Sequence, residues 1–207
     1  DVVLHVGAHR TASTTFQKTL GANGAALAAA GVAYWGPKYT RAGLFGGLIG
    51  RPGAVDSAAR ATGLRRVARR AREVERAGAR VLIVSEENAL GSMRAALTGQ
   101  GFYNDAGARV AALAEAFGDH PVRIGMAIRA QAEWWRSVDA FGAGRLGIMR
   151  RVPLDDLAEE PRAWRDVIGD VAARAGPVAG WSHEAMADRA DAVLARLTGK
   201  APTIRPL

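Results

Sequence analysis

The stretch Gly7-Ala8-His9-Arg10-Thr11-Ala12-Ser13-Thr14-Thr15 gathers residues suited to holding an anion. Thr11, Ser13, Thr14 and Thr15 place four hydroxyls within five positions, next to Arg10. Unpaired N–H groups at a helix start carry partial positive charge and suit a phosphate. A guanidinium adds a full charge with forked donors. Helix capping by Ser13 or Thr14 is the simpler alternative, but capping needs only one hydroxyl. The stretch departs from the nucleoside-triphosphatase loop, Gly-x-x-x-x-Gly-Lys-Ser/Thr, because Ala12 and Ser13 stand where glycine and lysine belong. No second strand ends in an aspartate placed to hold Mg²⁺, which disfavours an ordinary ATPase or GTPase.

His5-Val6-Gly7-Ala8-His9-Arg10-Thr11-Ala12-Ser13-Thr14-Thr15-Phe16-Gln17 resembles the opening of PAPS-dependent sulfotransferases, in their bacterial, carbohydrate-type branch. That branch often reads His-x-Gly-x-x-Lys-Thr-Gly-Thr-Thr-x-x-Gln, so Arg10 replaces a lysine and Ala12 a glycine. Ile128-Arg129-Ala130-Gln131-Ala132-Glu133-Trp134-Trp135-Arg136-Ser137 adds a second likeness. In the family an arginine at a strand end and a serine eight residues later bind the adenosine 3′-phosphate. Ser85-Glu86-Glu87 is similar to the Ser-Glu that often ends the central strand in bacterial members. Read without the family, Arg129 and Ser137 are surface residues, and the two acids cap the next helix through its dipole.

The resemblance implies a three-layer P-loop-like α/β fold and transfer of a sulfuryl group from PAPS to an acceptor hydroxyl, with PAP as product. It implies that residues Arg10, Thr11, Ala12, Ser13, Thr14 and Thr15 hold the 5′-phosphosulfate, and that Arg129 and Ser137 clamp the 3′-phosphate. Arg10 is expected to stabilise charge growing on the departing PAP. Unlike lysine, it stays charged and does not donate a proton. The acceptor proton needs a base. Glu86 is the first candidate, Glu87 the second and His9 the third. No metal is expected. Two rival readings remain: a non-catalytic nucleotide- or glycan-binding member of the fold, and a kinase-like phosphotransferase dependent on Mg²⁺.

These residues must be positioned by strands alternating with helices. Val2–Val6, Gly31–Trp35, Val81–Ser85, Pro121–Ile128 and Pro177–Trp181 read as short apolar strands. Helices are predicted over Thr14–Leu27, Asp56–Ala77, Asn104–Phe117, Ala130–Phe141, Leu154–Ala175 and His183–Thr198. Residues 39–56 and Gly142–Pro153 read as glycine-rich loops walling an acceptor site, with the former mobile, and the tail from Ala201 reads as loosely attached. The pattern predicts a mainly parallel sheet covered on both faces, with ligands at the carboxyl ends of its strands. Trp134, Trp135 and Trp164 either stack on an acceptor or lie in the core; helical spacing favours the core for Trp135.

Composition sets the bounds. The chain of 207 residues suits one domain, and 49% hydrophobic residues can build one large core. A net charge of +8 favours anionic ligands. Much of the excess lies in residues 64–72, which read as a solvated helix face; without interleaved aromatics they do not suggest nucleic-acid binding. The absence of cysteine excludes disulfides and thiol chemistry and fits a cytoplasmic setting. The four histidines form no metal-binding pair. No apolar run reaches the roughly 20 residues that span a bilayer. A hydroxyl-bearing small molecule or glycan is the expected partner.

Overall fold

The computed structural model describes residues 1–50, 55–148, 161–200 and 202–205. Five strands form one parallel sheet: β1 (Val2–His5), β2 (Val32–Trp35), β3 (Val81–Ser85), β4 (Val122–Ile128) and β5 (Val178–Ser182), in the order β2-β3-β1-β4-β5. β1 and β3 are buried along their whole length, as expected of strands covered on both faces.

Alternation along the strands divides the core in two. Val3, Val81 and Ile83 pack with Phe16, Leu20, Leu27, Leu194 and Leu197. That face is covered by α1 (Ser13–Ala22), α2 (Gly24–Ala29) and a C-terminal helix. Val2, Leu4, Leu82 and Val84 face the other way, toward Val67, Val110, Val138 and Val171. Those four valines come from α3 (Ser57–Arg76), α5 (Ala106–Ala114), α6 (Gln131–Phe141) and α7 (Trp164–Ala175); a short α4 (Met93–Leu97) precedes α5. The result is the expected three-layer α/β arrangement.

The chain leaves β1 toward β2 at one edge of the sheet and leaves β4 toward β5 at the other. Neighbouring strands β1 and β4 therefore flank a point where the winding reverses, the usual place for a ligand crevice.

Several expectations are corrected. The helix predicted over Thr14–Leu27 breaks at Asn23, whose side chain bonds backbone groups of Thr19 and Arg205. His183–Thr198 also divides, into α8 (His183–Met186) and α9 (Ala190–Thr198). The helix ending at Ala175 begins at Trp164; the residues from Leu154 to 160 lie outside the described ones. Asp105 stands at the cap of α5 without making a side-chain cap bond, and Phe117 belongs to a short 3₁₀ turn beyond it. Much of the segment expected to be a mobile loop is packed: Leu44, Phe45 and Leu48 are buried in the core. Of Gly142–Pro153, Gly142–Leu146 form a wide helical turn and residues from 149 on are not described. The tail is fastened where described, because Arg205 exchanges two 2.9 Å hydrogen bonds with Asn23 and Ile204 packs on the core.

Candidate functional site

The hydroxyl-rich turn continues the sheet before it turns away. The N–H groups of Val6 and Ala8 still donate to Gly125 and Ala127 of β4. Gly7 is required by packing: a Cβ there would lie 2.8 Å from His5 Nε2 and 2.9 Å from Ser13 Oγ. Thr11 Oγ1 donates to the Ala8 carbonyl at 2.6 Å, and Ser13 Oγ to the same oxygen at 3.4 Å. These two hydroxyls therefore close the turn on itself. Thr14 and Thr15 are exposed. Ala12 occupies the cap position of α1 in a left-handed conformation (φ 60°) and has no side-chain oxygen. The first N–H groups of α1 thus receive no side chain from their cap residue, which sets aside capping by Ser13 or Thr14.

The turn opens onto a cleft of about 400 Å³ at the β1/β4 reversal, bordered by His9, Arg10, residues 12–15, Glu87, Arg129 and His183. A larger hollow, about 490 Å³, lies beside α4 around Arg94 and Asn104. It touches none of the hydroxyl turn, so sheet topology favours the smaller cleft.

Arg10 and Arg129 share this cleft, although 118 residues of sequence lie between them. Arg10, with φ 65°, lays its guanidinium 4.7 Å from the Phe141 ring centre, a cation–π geometry. Its Nε donates to Ser137 Oγ at 3.0 Å. Ser137 is thereby engaged with Arg10, where sequence pairing assigned it to Arg129. Arg129 follows β4, and its carbonyl accepts from Trp164 Nε1 at 2.6 Å. Its Nε is buried and has no hydrogen-bond partner among the described residues. A buried donor left unpaired is costly.

The three base candidates differ sharply. Glu86 is 1% exposed and saturated: Oε1 accepts from Arg41 Nη2 (2.7 Å), Arg41 Nε (3.2 Å) and the Asn88 N–H (3.2 Å), and Oε2 from Thr40 Oγ1 (2.7 Å) and Arg41 Nε (3.1 Å). It does not border the cleft. Its geometry is structural, the capping role that was its alternative reading. Glu87 does border the cleft, with one oxygen accepting from Gln17 Nε2 and the other from Arg41 Nη2, both at 2.8 Å. Burial pushes its carboxyl up, but the bonds from Gln17 and Arg41 win and hold it below the ordinary carboxylate value.

His9 is held from both sides. Tyr103 Oη accepts from the His9 backbone N–H at 3.2 Å and sits 2.8 Å from Nδ1, while Asn88 Oδ1 lies 3.3 Å from Nε2. This network assigns the proton to Nε2 and makes Nδ1 the acceptor of the Tyr103 hydroxyl. Burial lowers the imidazole below its usual value, so it is neutral at pH 7.

Comparison of the chain with protein-family models, with curated proteins and with solved structures finds no match. The site is therefore argued from its geometry. Trp134, Trp135 and Trp164 are all buried in a ring cluster around Phe102, so they serve the core and not an acceptor. Among the described residues no group of three His, Asp or Glu side chains gathers to hold a metal, and no helix is long and apolar enough to cross a membrane. Sequence reasoning missed Arg41, Tyr103 and His183. For His183 a signal existed: it directly follows the last strand, at the same sheet edge as Gly7, Ser85 and Ile128.

Proposed function

We propose that this chain is a sulfotransferase that moves a sulfuryl group from PAPS to an acceptor hydroxyl. One observation carries the reading. The uncapped start of α1, its hydroxyl turn, Arg10 and Arg129 border a single cleft at the sheet reversal. Such a cleft suits an elongated ligand with two separated anionic groups. PAPS has that form, and it brings an activated sulfuryl group. The chain's own residues would do the rest. The N–H groups at the start of α1 and the exposed hydroxyls of Thr14 and Thr15 bind the 5′ end, and Arg10 stabilises negative charge developing there. Glu87 takes over from Glu86 as the carboxylate placed to accept the acceptor's proton. Its carboxyl, held below the ordinary carboxylate value, makes it a weak base, useful only where transfer needs little proton removal.

The test is binding without metal. At PAP concentrations near 100 Kd, stabilisation is about 2.7 kcal/mol. For a chain of this size that raises Tm by roughly 5–10 °C. ATP in the absence of Mg²⁺ should shift Tm much less. A shift seen only with ATP and Mg²⁺ would instead indicate a kinase-like phosphotransferase. Arg129→Ala should weaken PAP binding at least tenfold, whereas Glu87→Gln should leave it intact and slow transfer from labelled PAPS at least tenfold. Full turnover by Glu87→Gln would place the base elsewhere.

A second reading, nucleotide binding without transfer, is favoured by Arg10 being tied to Ser137 and Phe141 and by the saturation of Glu86. Incubation with labelled PAPS and pooled carbohydrate, lipid and small-metabolite acceptors separates the two. Binding of PAP with no labelled product from any pool would support the non-catalytic reading.

A further inference from the structure

The larger hollow beside α4 holds chemistry that the cleft does not use. Its volume, about 490 Å³, lies within the roughly 300–1,000 Å³ range of small-molecule sites. Ser92, Arg94, Thr98, Asn104, Asp105 and Arg109 line it, so hydroxyls, an amide and charges stand where such sites are usually apolar. Arg94 is exposed, and its guanidinium makes no hydrogen bond or ion pair among the described residues. Arg109 is partly buried and pinned to backbone: Nε donates to the Ala89 carbonyl at 3.3 Å, Nη2 to that of Asn88 at 2.9 Å and Nη1 to that of Gly50. A guanidinium has five N–H donors, so donors remain for a ligand. Burial lowers Arg109 below its ordinary value, partly countered by Asp105, yet it stays charged. Among the described residues no carboxylate forms an ion pair with it. Tyr103 closes the hollow toward the cleft, its ring stacked on that of His9 with centres 6.1 Å apart. No residue lines both spaces, so the hollow is a separate site one aromatic layer away.

The charges on this lining select the ligand. Arg94 and Arg109 are positive, and Asp105 is negative with no bond to its carboxylate among the described residues. The excess of one positive charge matches a monoanion. A phosphate monoester would bring its second negative charge against Asp105, and like charges in a partly enclosed site repel. A carboxylate fits the planar fork of a guanidinium. Ser92, Thr98 and Asn104 offer donors and acceptors suited to hydroxyls. We propose that this hollow binds a hydroxyl-rich monocarboxylate of single-sugar size. Arg94 and Arg109 hold its carboxylate, and Ser92, Thr98 and Asn104 meet its hydroxyls. The site goes beyond the nucleotide reading and stands whether or not the cleft takes PAPS. Binding makes and breaks no covalent bond.

Calorimetric titration of the full chain with D-glucuronate, D-glucose and D-glucose 6-phosphate at about pH 8 tests the proposal. Glucuronate should bind at least tenfold more tightly than glucose, which lacks the carboxylate. It should also bind more tightly than glucose 6-phosphate, which is doubly charged at that pH. Arg94→Ala should remove most of the preference for glucuronate over glucose. The Arg94 side chain holds nothing in the fold, so this variant should keep the wild-type Tm. Asp105→Asn should raise the affinity for glucose 6-phosphate at least threefold relative to glucuronate, and α5 should persist because Asp105 makes no side-chain cap bond. A wild type that binds glucuronate no better than glucose would overturn the site, as would an Arg94→Ala variant that keeps the preference. Tighter binding of glucose 6-phosphate than of glucuronate by the wild type would overturn the choice of a monocarboxylate. None of these outcomes bears on PAP binding, so the reading of the cleft is tested apart.

Discussion

At the residue scale, the turn after β1 shows how a substitution is absorbed. Ala12 holds a left-handed backbone, φ 60° and ψ 17°, where a side chain is disfavoured by about 1 kcal/mol. The resembled family has glycine here. Ala12→Gly is therefore expected to stabilise the protein by roughly 0.5–1 kcal/mol, less than the full strain because glycine also loosens the unfolded chain. A rise of a few degrees in Tm checks this. His5 offers a second prediction. It lies beneath the turn, stacked on Trp181 and 2.7 Å from Ser85 Oγ. Gln17 Nε2 donates to that oxygen, so the Ser85 proton points to His5 Nδ1. Burial, partly countered by Glu87, pushes the imidazole down to about 4. The unfolded chain, with an ordinary value near 6.5, then binds a proton that the native state refuses. Stability contributed by neutral His5 is full above about pH 6.5 and is lost as pH falls toward 4, by up to about 3 kcal/mol. Denaturant titrations between pH 4 and 7 should show a shallower pH slope for His5→Gln than for the wild type. His9, lowered in the same direction, contributes to both proteins alike.

At the element scale, the segment Thr40–Leu44 acts as a strap across the end of β3. Thr40 and Arg41 reach the carboxylates of Glu86 and Glu87, some 45 residues later, and so tie a loop to the strand end that carries the proposed base. Glu86 is buried, so losing Arg41 leaves a charge whose desolvation is no longer offset. Arg41→Ala should cost about 2–4 kcal/mol, softened by the Thr40 and Asn88 bonds that remain. Adding Glu86→Gln to that variant should recover part of the loss, since the buried charge is gone. Denaturant midpoints of the single and double variants measure the coupling. Equal losses in the single and double variants would show that the strap acts through shape and not charge.

At the scale of the whole molecule, the fold brings together three strand ends that the chain separates widely. The order β2-β3-β1-β4-β5 seats β1 between β3 and β4, so Gly7, Glu87 and Arg129 meet at one sheet edge. The net charge of +8 adds a diffuse attraction for anions that salt screens. PAP affinity should therefore fall several-fold between 50 and 300 mM NaCl, while the ratio of wild-type to Arg129→Ala affinity, set by a partly buried contact, should change far less.

The strands were legible because four- to seven-residue apolar runs bounded by glycine or proline have few other uses, and the alternation of strand with helix implied the layered parallel sheet. The hydroxyl turn was legible because its residue types cluster locally. What sequence left open was partnership. Ser137 was matched to Arg129 by spacing along the chain, yet a left-handed turn at Arg10 swings that guanidinium onto α6 and engages the serine instead. Glu86 and Glu87 are chemically alike and adjacent; only packing made one a buried anchor and the other a wall of the cleft. His183 carried no motif, and its place beside Arg129 exists only through the register of β4 and β5. Local order follows from short-range propensity and periodicity, which a sequence displays directly. Which side chains share a cleft depends on strand order and register, set by contacts between residues far apart in the chain, and these belong to the tertiary structure alone.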